Sequence, residues 1–199
     1  MDMLNVLKNE SVREAFSWAT SKTATNPQKG HYCSSRDILD ARLEHLRKEI
    51  LLSGTNEDTS YLLHAILSEI CGNSFDHNLG QWHDIPGCLL TSEKLDNYFV
   101  ITVADRGQGV LKTLQRVFPE ITTHDEALKA AFLRHISGRA PERRGNGLKF
   151  VRKTLLEDGI DLVFTSGSAR YCIFGITEEW SKAETSVPGC IAIVSFPLT

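Results

Sequence analysis

Three short patterns in this chain place polar chemistry where an ordinary core would not. The first is Ala104-Asp105-Arg106-Gly107-Gln108-Gly109, which follows a strongly apolar run. An acid at a strand end can accept hydrogen bonds from an exocyclic amine, and spaced glycines let a flat ring approach the backbone. A plain Asp-Arg-Gly turn after a strand is the alternative. The second is Arg143-Arg144-Gly145-Asn146-Gly147-Leu148-Lys149-Phe150. Glycines before a helix expose unpaired N–H groups at its positive end, a ready phosphate site; a loop with incidental arginines is the alternative. The third is Glu69-x-x-x-Asn73-x-x-Asp76. At roughly 100° per residue, Asn73 falls about 40° to one side of Glu69 and Asp76 about 20° to the other, so the three share a helix face. Carboxylates buried there without partners are costly, so the face either meets a ligand or simply emerges into solvent.

These patterns need elements to hold them. Ile38, Leu39, Leu43, Leu46, Ile50 and Leu51 recur at helical spacing from Arg36, and Gly54 is placed to stop that helix. Ser60 is a predicted cap for a second helix, with Leu62, Leu63, Ala65, Ile66, Leu67 and Ile70 as its apolar face, running to about Asn78. Gly87–Thr91 and Tyr98–Val103, joined through Leu95-Asp96-Asn97, read as an antiparallel hairpin. Helices are predicted at His124–Ile136 and from about Gly147 to Glu157, and strands at Asp161–Thr165, Arg170–Ile176 and Cys190–Phe196. Helices beside mostly antiparallel strands predict a two-layer α+β sandwich. Ahead of it, residues 1–30 form an N-terminal arm and linker. Its amphipathic stretch Leu4–Ala19 reads either as a packing arm or as a homodimer contact, and Ser21–Gly30 is turn-rich.

Composition narrows the function classes. The chain has 199 residues, 41% hydrophobic and 24% charged, which suits a globular domain. Twenty-two Lys and Arg against 25 Asp and Glu give a net charge of −3, too little field to gather a nucleic-acid backbone. The longest apolar runs, Tyr98–Ala104 and Cys190–Phe196, fall far short of the roughly 18 residues of a membrane span. The start MDMLNVLKNE lacks the apolar core of a secretory signal, so a cytoplasmic protein is expected. Five widely spaced cysteines without a CxxC pair read as reduced, mostly buried thiols.

The three patterns occur in one order, each on the kind of element its chemistry requires. Together they resemble the GHKL superfamily of gyrase B subunits, heat-shock chaperones, histidine kinases and MutL repair proteins, over most of the chain from about Arg36 to Thr199. The resemblance implies a histidine-kinase-like ATPase (Bergerat) fold over residues 31–199, a mostly antiparallel sheet with helices on one face. It also implies ATP and Mg²⁺ as ligands. By that likeness Asn73 ligates Mg²⁺ and Glu69 is the general base. Asp105 reads adenine, with Gly107 and Gly109 making room for the base. Gly145, Gly147 and Leu148 form the second glycine box, Thr165 supports adenine recognition, and Asp76 joins the nucleotide-binding set. One departure stands out: Lys149 replaces the last glycine of GxGLG, where it pairs with phosphate or points to solvent.

Residues 111–144 sit where the family has its ATP lid, in which Arg139, Arg143 and Arg144, with Glu142 as a partial counter-charge, either clamp phosphates or stand as solvated loop charges. The compact helix-loop-helix Asp37–Asn78 resembles stand-alone anti-sigma-factor serine kinases. His45 lies inside the first helix and makes a poor phosphoacceptor. Zinc held by Cys71, Asp76, His77, His83 and Cys88 has no matching ligand spacing. The resulting expectation is an Mg-ATP enzyme, hydrolysing ATP or phosphorylating a protein partner on another chain. The alternative is a non-catalytic module in which ATP gates protein binding.

Overall fold

A computed structural model describes residues 9–23, 27, 30–95, 97–134 and 146–198. Among them are six helices and five strands: α1 (Glu10–Thr20), β1 (Tyr32–Cys33), α2 (Arg36–Leu52), α3 (Glu57–Asp76), β2 (Cys88–Leu95), β3 (Tyr98–Asp105), α4 (Gly109–Gln115), α5 (His124–Leu133), α6 (Gly147–Asp158), β4 (Asp161–Phe174) and β5 (Thr177–Pro197). The strands form one antiparallel sheet in the order β1-β2-β3-β5-β4. The fold is α+β, as expected. No helix among the described residues is long and apolar enough to cross a membrane.

Local chemistry sets the element ends. The Ser35 side chain caps α2 through the Ile38 amide, and Thr123 and Glu126 form a capping box at α5. α3 starts before the predicted cap: Asn56 accepts from the Thr59 amide at 2.8 Å, and Glu57 and Asp58 complement the helix dipole. Ser60 lies inside the helix, its hydroxyl donating back to the Glu57 carbonyl at 2.7 Å. The predicted hairpin is present, with Leu95 opposite Tyr98. The two strands predicted at Asp161–Thr165 and Arg170–Ile176 fuse into β4, because the interval between them holds a β-bulge at Gly167 that bends the strand without ending it.

Alternation divides the sheet into two faces. Leu90, Ile101, Phe164 and Val194 point toward α2, α3, α5 and α6, where Leu43, Leu67, Phe132 and Leu155 complete the main core. Phe132 packs edge-on against Phe164 at 5.2 Å between ring centroids, anchoring α5 to β4. The opposite face is covered by α1, from the arm ahead of the expected 31–199 domain, so the two-layer expectation for that domain stands. Val12, Ala15, Trp18 and Ala19 of α1 pack there on Leu89, Val100, Ala104, Ile191 and Ile193. α1, within the expected arm, is therefore seated on the domain. Residues 111–134 of the predicted lid are also largely built in. Leu128 joins the main core, and Ile121, Ala127 and Ala130 form a small cluster with Leu111, Leu114 and Phe118.

Candidate functional site

β3 ends with Asp105 on the face toward α3, and the carboxyl is buried. Four neutral donors surround it. The Ser74 hydroxyl donates to Oδ2 at 3.2 Å; the Asn78 amide and the Gly107 backbone N–H donate to Oδ1 at 3.2 and 2.8 Å. The Cys190 amide adds a further bond. Burial outweighs these donors and pushes the carboxyl from 3.8 up to about 6. The loop that follows is fixed by the same residues. Asn78 Oδ1 accepts from the Gln108 amide at 3.0 Å, and the Ser166 hydroxyl accepts from the Val110 amide at 3.0 Å while donating to the Gly189 carbonyl.

Glycines permit this close packing. A Cβ on Gly107 would overlap the Asn78 amide, and one on Gly189 would lie 2.5 Å from Asp105 Oδ1. Gly109 has φ +74°, with the Pro188 carbonyl 2.7 Å from where its Cβ would stand, so both backbone and space exclude a side chain.

The α3 and α6 patterns also meet. A Cβ on Gly147 would overlap Glu69 Oε2, so the exposed Glu69 carboxylate lies against the first turn of α6. The N-cap residue Asn146 caps no backbone amide of that turn, and its side chain accepts instead from Lys149 Nζ at 2.9 Å. The start of α6 thus lacks a side-chain N-cap, as an anion site requires. Asn73 lies one turn beyond Glu69 on α3, half-buried, with no side-chain hydrogen bond to a described residue. Partial burial holds the Lys149 amine below its ordinary range.

Other expected residues fall elsewhere. Asp76 is exposed and ion-paired with Arg36, which also stacks over Phe75. Thr165 pairs with Ile191, a residue of the α1-side core, so its side chain faces away from Asp105. Its neighbour Ser166, opposite Cys190, is the one that reaches the Gly109 loop. Leu148 packs on the main core. Gly145, Arg139, Glu142, Arg143 and Arg144 lie outside the described residues. Among the described residues no group of three or more His, Cys, Asp or Glu is arranged to hold a metal ion.

The residues that sequence reasoning missed are Ser74, Asn78, Ser166 and Gly189. Ser74 had a readable signal: Leu63, Leu67 and Ile70 mark a core stripe whose next member is Ser74, a polar residue in a core position. Asn78 follows one turn later on the same side. No protein-family model and no curated protein sequence matches the chain.

Proposed function

We propose that this chain binds Mg-ATP as a GHKL-type module of the cytoplasm and transfers the γ-phosphoryl group to water or to a hydroxyl of a protein partner. The observation that carries this reading is the convergence of three distant sequence patterns. Asp105 with its glycine loop, Glu69 and the start of α6 all assemble around α3. The donor chemistry fits. A buried carboxylate held only by neutral groups accepts from an adenine amine. Gly107 and Gly109 let the loop close onto Asn78 and Pro188 beside that acceptor, and the α6 start offers backbone N–H groups to phosphate.

Asn73 is the residue to hold magnesium, through its amide oxygen. The metal supplies charge neutralisation at the phosphate oxygens when bound. Glu69, exposed beside α6, takes the proton from the attacking hydroxyl as the bond between the γ-phosphorus and the ADP oxygen breaks. Ser74, Asn78 and Ser166 keep the Asp105 acceptor and its loop in place. The test is γ-labelled Mg-ATP incubated with wild type and Glu69→Ala, with and without cell extract. Free phosphate from wild type alone supports an ATPase, and label on a second protein supports a kinase. Nucleotide binding without either product leaves the gated binding module, and absence of binding refutes the proposal.

A further inference from the structure

Asp105 and Arg106 are consecutive, yet they serve opposite faces of the sheet. Arg106 is 5% exposed, turned toward α1, and uses all its donors. Nε and Nη2 grip the Asp84 carboxylate at 2.8 Å each, and Nη2 also donates to the Ser21 carbonyl at 2.9 Å. Nη1 donates to the Trp18 carbonyl and to the Ser21 hydroxyl. The guanidinium also lies over the Trp18 ring, and the Arg106 carbonyl accepts from the His83 amide at 3.1 Å. One side chain therefore joins the C-terminal end of α1 and the segment before β2 to the loop that carries the Asp105 site. A cleft of about 460 Å³ runs along this junction, between Lys22, His83 and Pro188.

The seat beneath α1 is imperfect. Thr91, Thr102 and Ser195 lie on the α1 side of the sheet, alternating with main-core residues Leu90, Ile101 and Val194. Their hydroxyls are buried without a hydrogen-bond partner among the described residues. Water satisfies such groups once the cover lifts, which offsets part of the gain from burying Val12, Ala15 and Trp18. Specific bonds at the two ends compensate: Asn9 Nδ2 to Glu93 Oε2 at 2.8 Å, and Arg106 at the other end.

We propose that α1 is a regulatory arm: its seating on the sheet and the ordered Asp105–Gly109 loop form one two-state unit, with Arg106 as the positioning residue between them. The identity of the ligand so regulated rests on the ATP reading. Anything that draws α1 away then weakens nucleotide binding, and nucleotide tightens α1 by the same factor.

Hydrogen exchange on the full chain reads both ends, because the Gly107, Gln108 and Val110 amides are held by Asp105, Asn78 and Ser166. Ala15→Glu puts a charge into a contact that is 0% exposed and lifts α1. It is expected to speed exchange at residues 107–110 at least tenfold from the far side of the sheet. Arg106→Ala speeds exchange in both places, and Arg106→Lys does not restore it, because an ammonium cannot span Asp84 and two carbonyls. With a non-hydrolysable Mg-ATP analogue, α1 exchange in wild type slows about fivefold or more, and Ala15→Glu binds the analogue about five- to tenfold more weakly. The double variant Ala15→Glu/Arg106→Ala binds no worse than the weaker single one. Should Ala15→Glu lose its thermal transition, Glu93→Ala, which releases only the Asn9 end, carries the same expectations. Unchanged exchange at 107–110, equal analogue affinity, or additive effects in the double variant overturn the proposal. If wild type does not bind the analogue, the ATP reading falls, and exchange at 107–110 alone decides the coupling.

Discussion

Replacing Asp105 by Asn separates ligand recognition from stability, and the two should move in opposite directions. Burial raises the carboxyl from 3.8 to about 6, which corresponds to about 3 kcal/mol, to order of magnitude, disfavouring the ionised form in the native protein. The folded state therefore binds the proton more tightly than the unfolded chain. The associated stability is fully present below about 3.8 and is lost as pH rises through about 6. At pH 7.5 the wild type carries the whole penalty. Asn removes the charge, keeps an oxygen for the Gly107 and Asn78 donors, and turns its amide to the Ser74 hydroxyl, which can reverse its role. A gain of about 1–3 kcal/mol is expected, at about 2–4 °C per kcal/mol in thermal midpoint. A ligand amine, in contrast, loses a charge-assisted bond worth about 1.5–3 kcal/mol, so Mg-ATP affinity should fall about 10- to 100-fold. Calorimetric titration and thermal melts at pH 5 and 7.5 measure both, and the stabilisation should shrink at the lower pH. Unchanged ATP affinity in Asp105→Asn would falsify the assignment of the adenine acceptor. A lower midpoint at pH 7.5 would show that the four donors outweigh the burial cost.

Three further substitutions probe the rest of the site. Gly147→Ala adds a methyl where Glu69 Oε2 now lies. The flexible carboxylate swings aside and helix propensity improves by up to about 1 kcal/mol, so the melt should hold while phosphate release drops at least tenfold. Ser166→Ala leaves the Val110 amide and the Gly189 carbonyl without their bonds. It should cost about 1–3 kcal/mol and weaken ATP binding more than Thr165→Val does, an order that titration of both variants checks. Gly109→Ala forces an L side chain to φ +74° and into the Pro188 carbonyl. A loss of at least about 1–2 kcal/mol in denaturant melts is expected from the backbone alone, and a neutral result would mean the loop is not held as described.

Periodicity located α2, α3, α5, α6 and the β2–β3 hairpin because each is a continuous local pattern with its own end signals. α4 was hidden because Gly109 reads as a breaker, whereas its positive φ lets the chain turn straight into a helix. β4 was split for a similar reason: Gly167 marks a bulge that only its pairing with β5 reveals. Faces were harder than elements. Choosing Ser166 over Thr165 required knowing which residue stands opposite, and Cys190 and Ile191 supply that only after the sheet forms. The links from Ser74 to Asp105 and from Arg106 to Trp18 cross 31 and 88 residues. No local pattern carries them, although a serine at the end of a leucine stripe announces that something polar must face it.

The environment of Asp105 also restricts what this site can read. Its neighbours among the described residues, the Ser74 hydroxyl, the Asn78 amide and two backbone N–H groups, are uncharged. The adjacent cation, Arg106, is turned to the other face and given to Asp84 and the end of α1. Had Arg106 reached Asp105, an ion pair would have occupied the acceptor and held the carboxyl low, leaving an incoming neutral donor little to gain. Four neutral donors already take up the roughly four lone-pair sites of the carboxylate, so an incoming neutral N–H exchanges with one of them and has no ion pair to break. Sending consecutive residues to opposite faces thus keeps the acid out of an ion pair and commits the base to Asp84 and the end of α1. The arrangement suits an amino-substituted heterocycle better than a purely anionic ligand, which the carboxylate would repel, so the proposed ATP would direct its phosphates to α6 and not to Asp105.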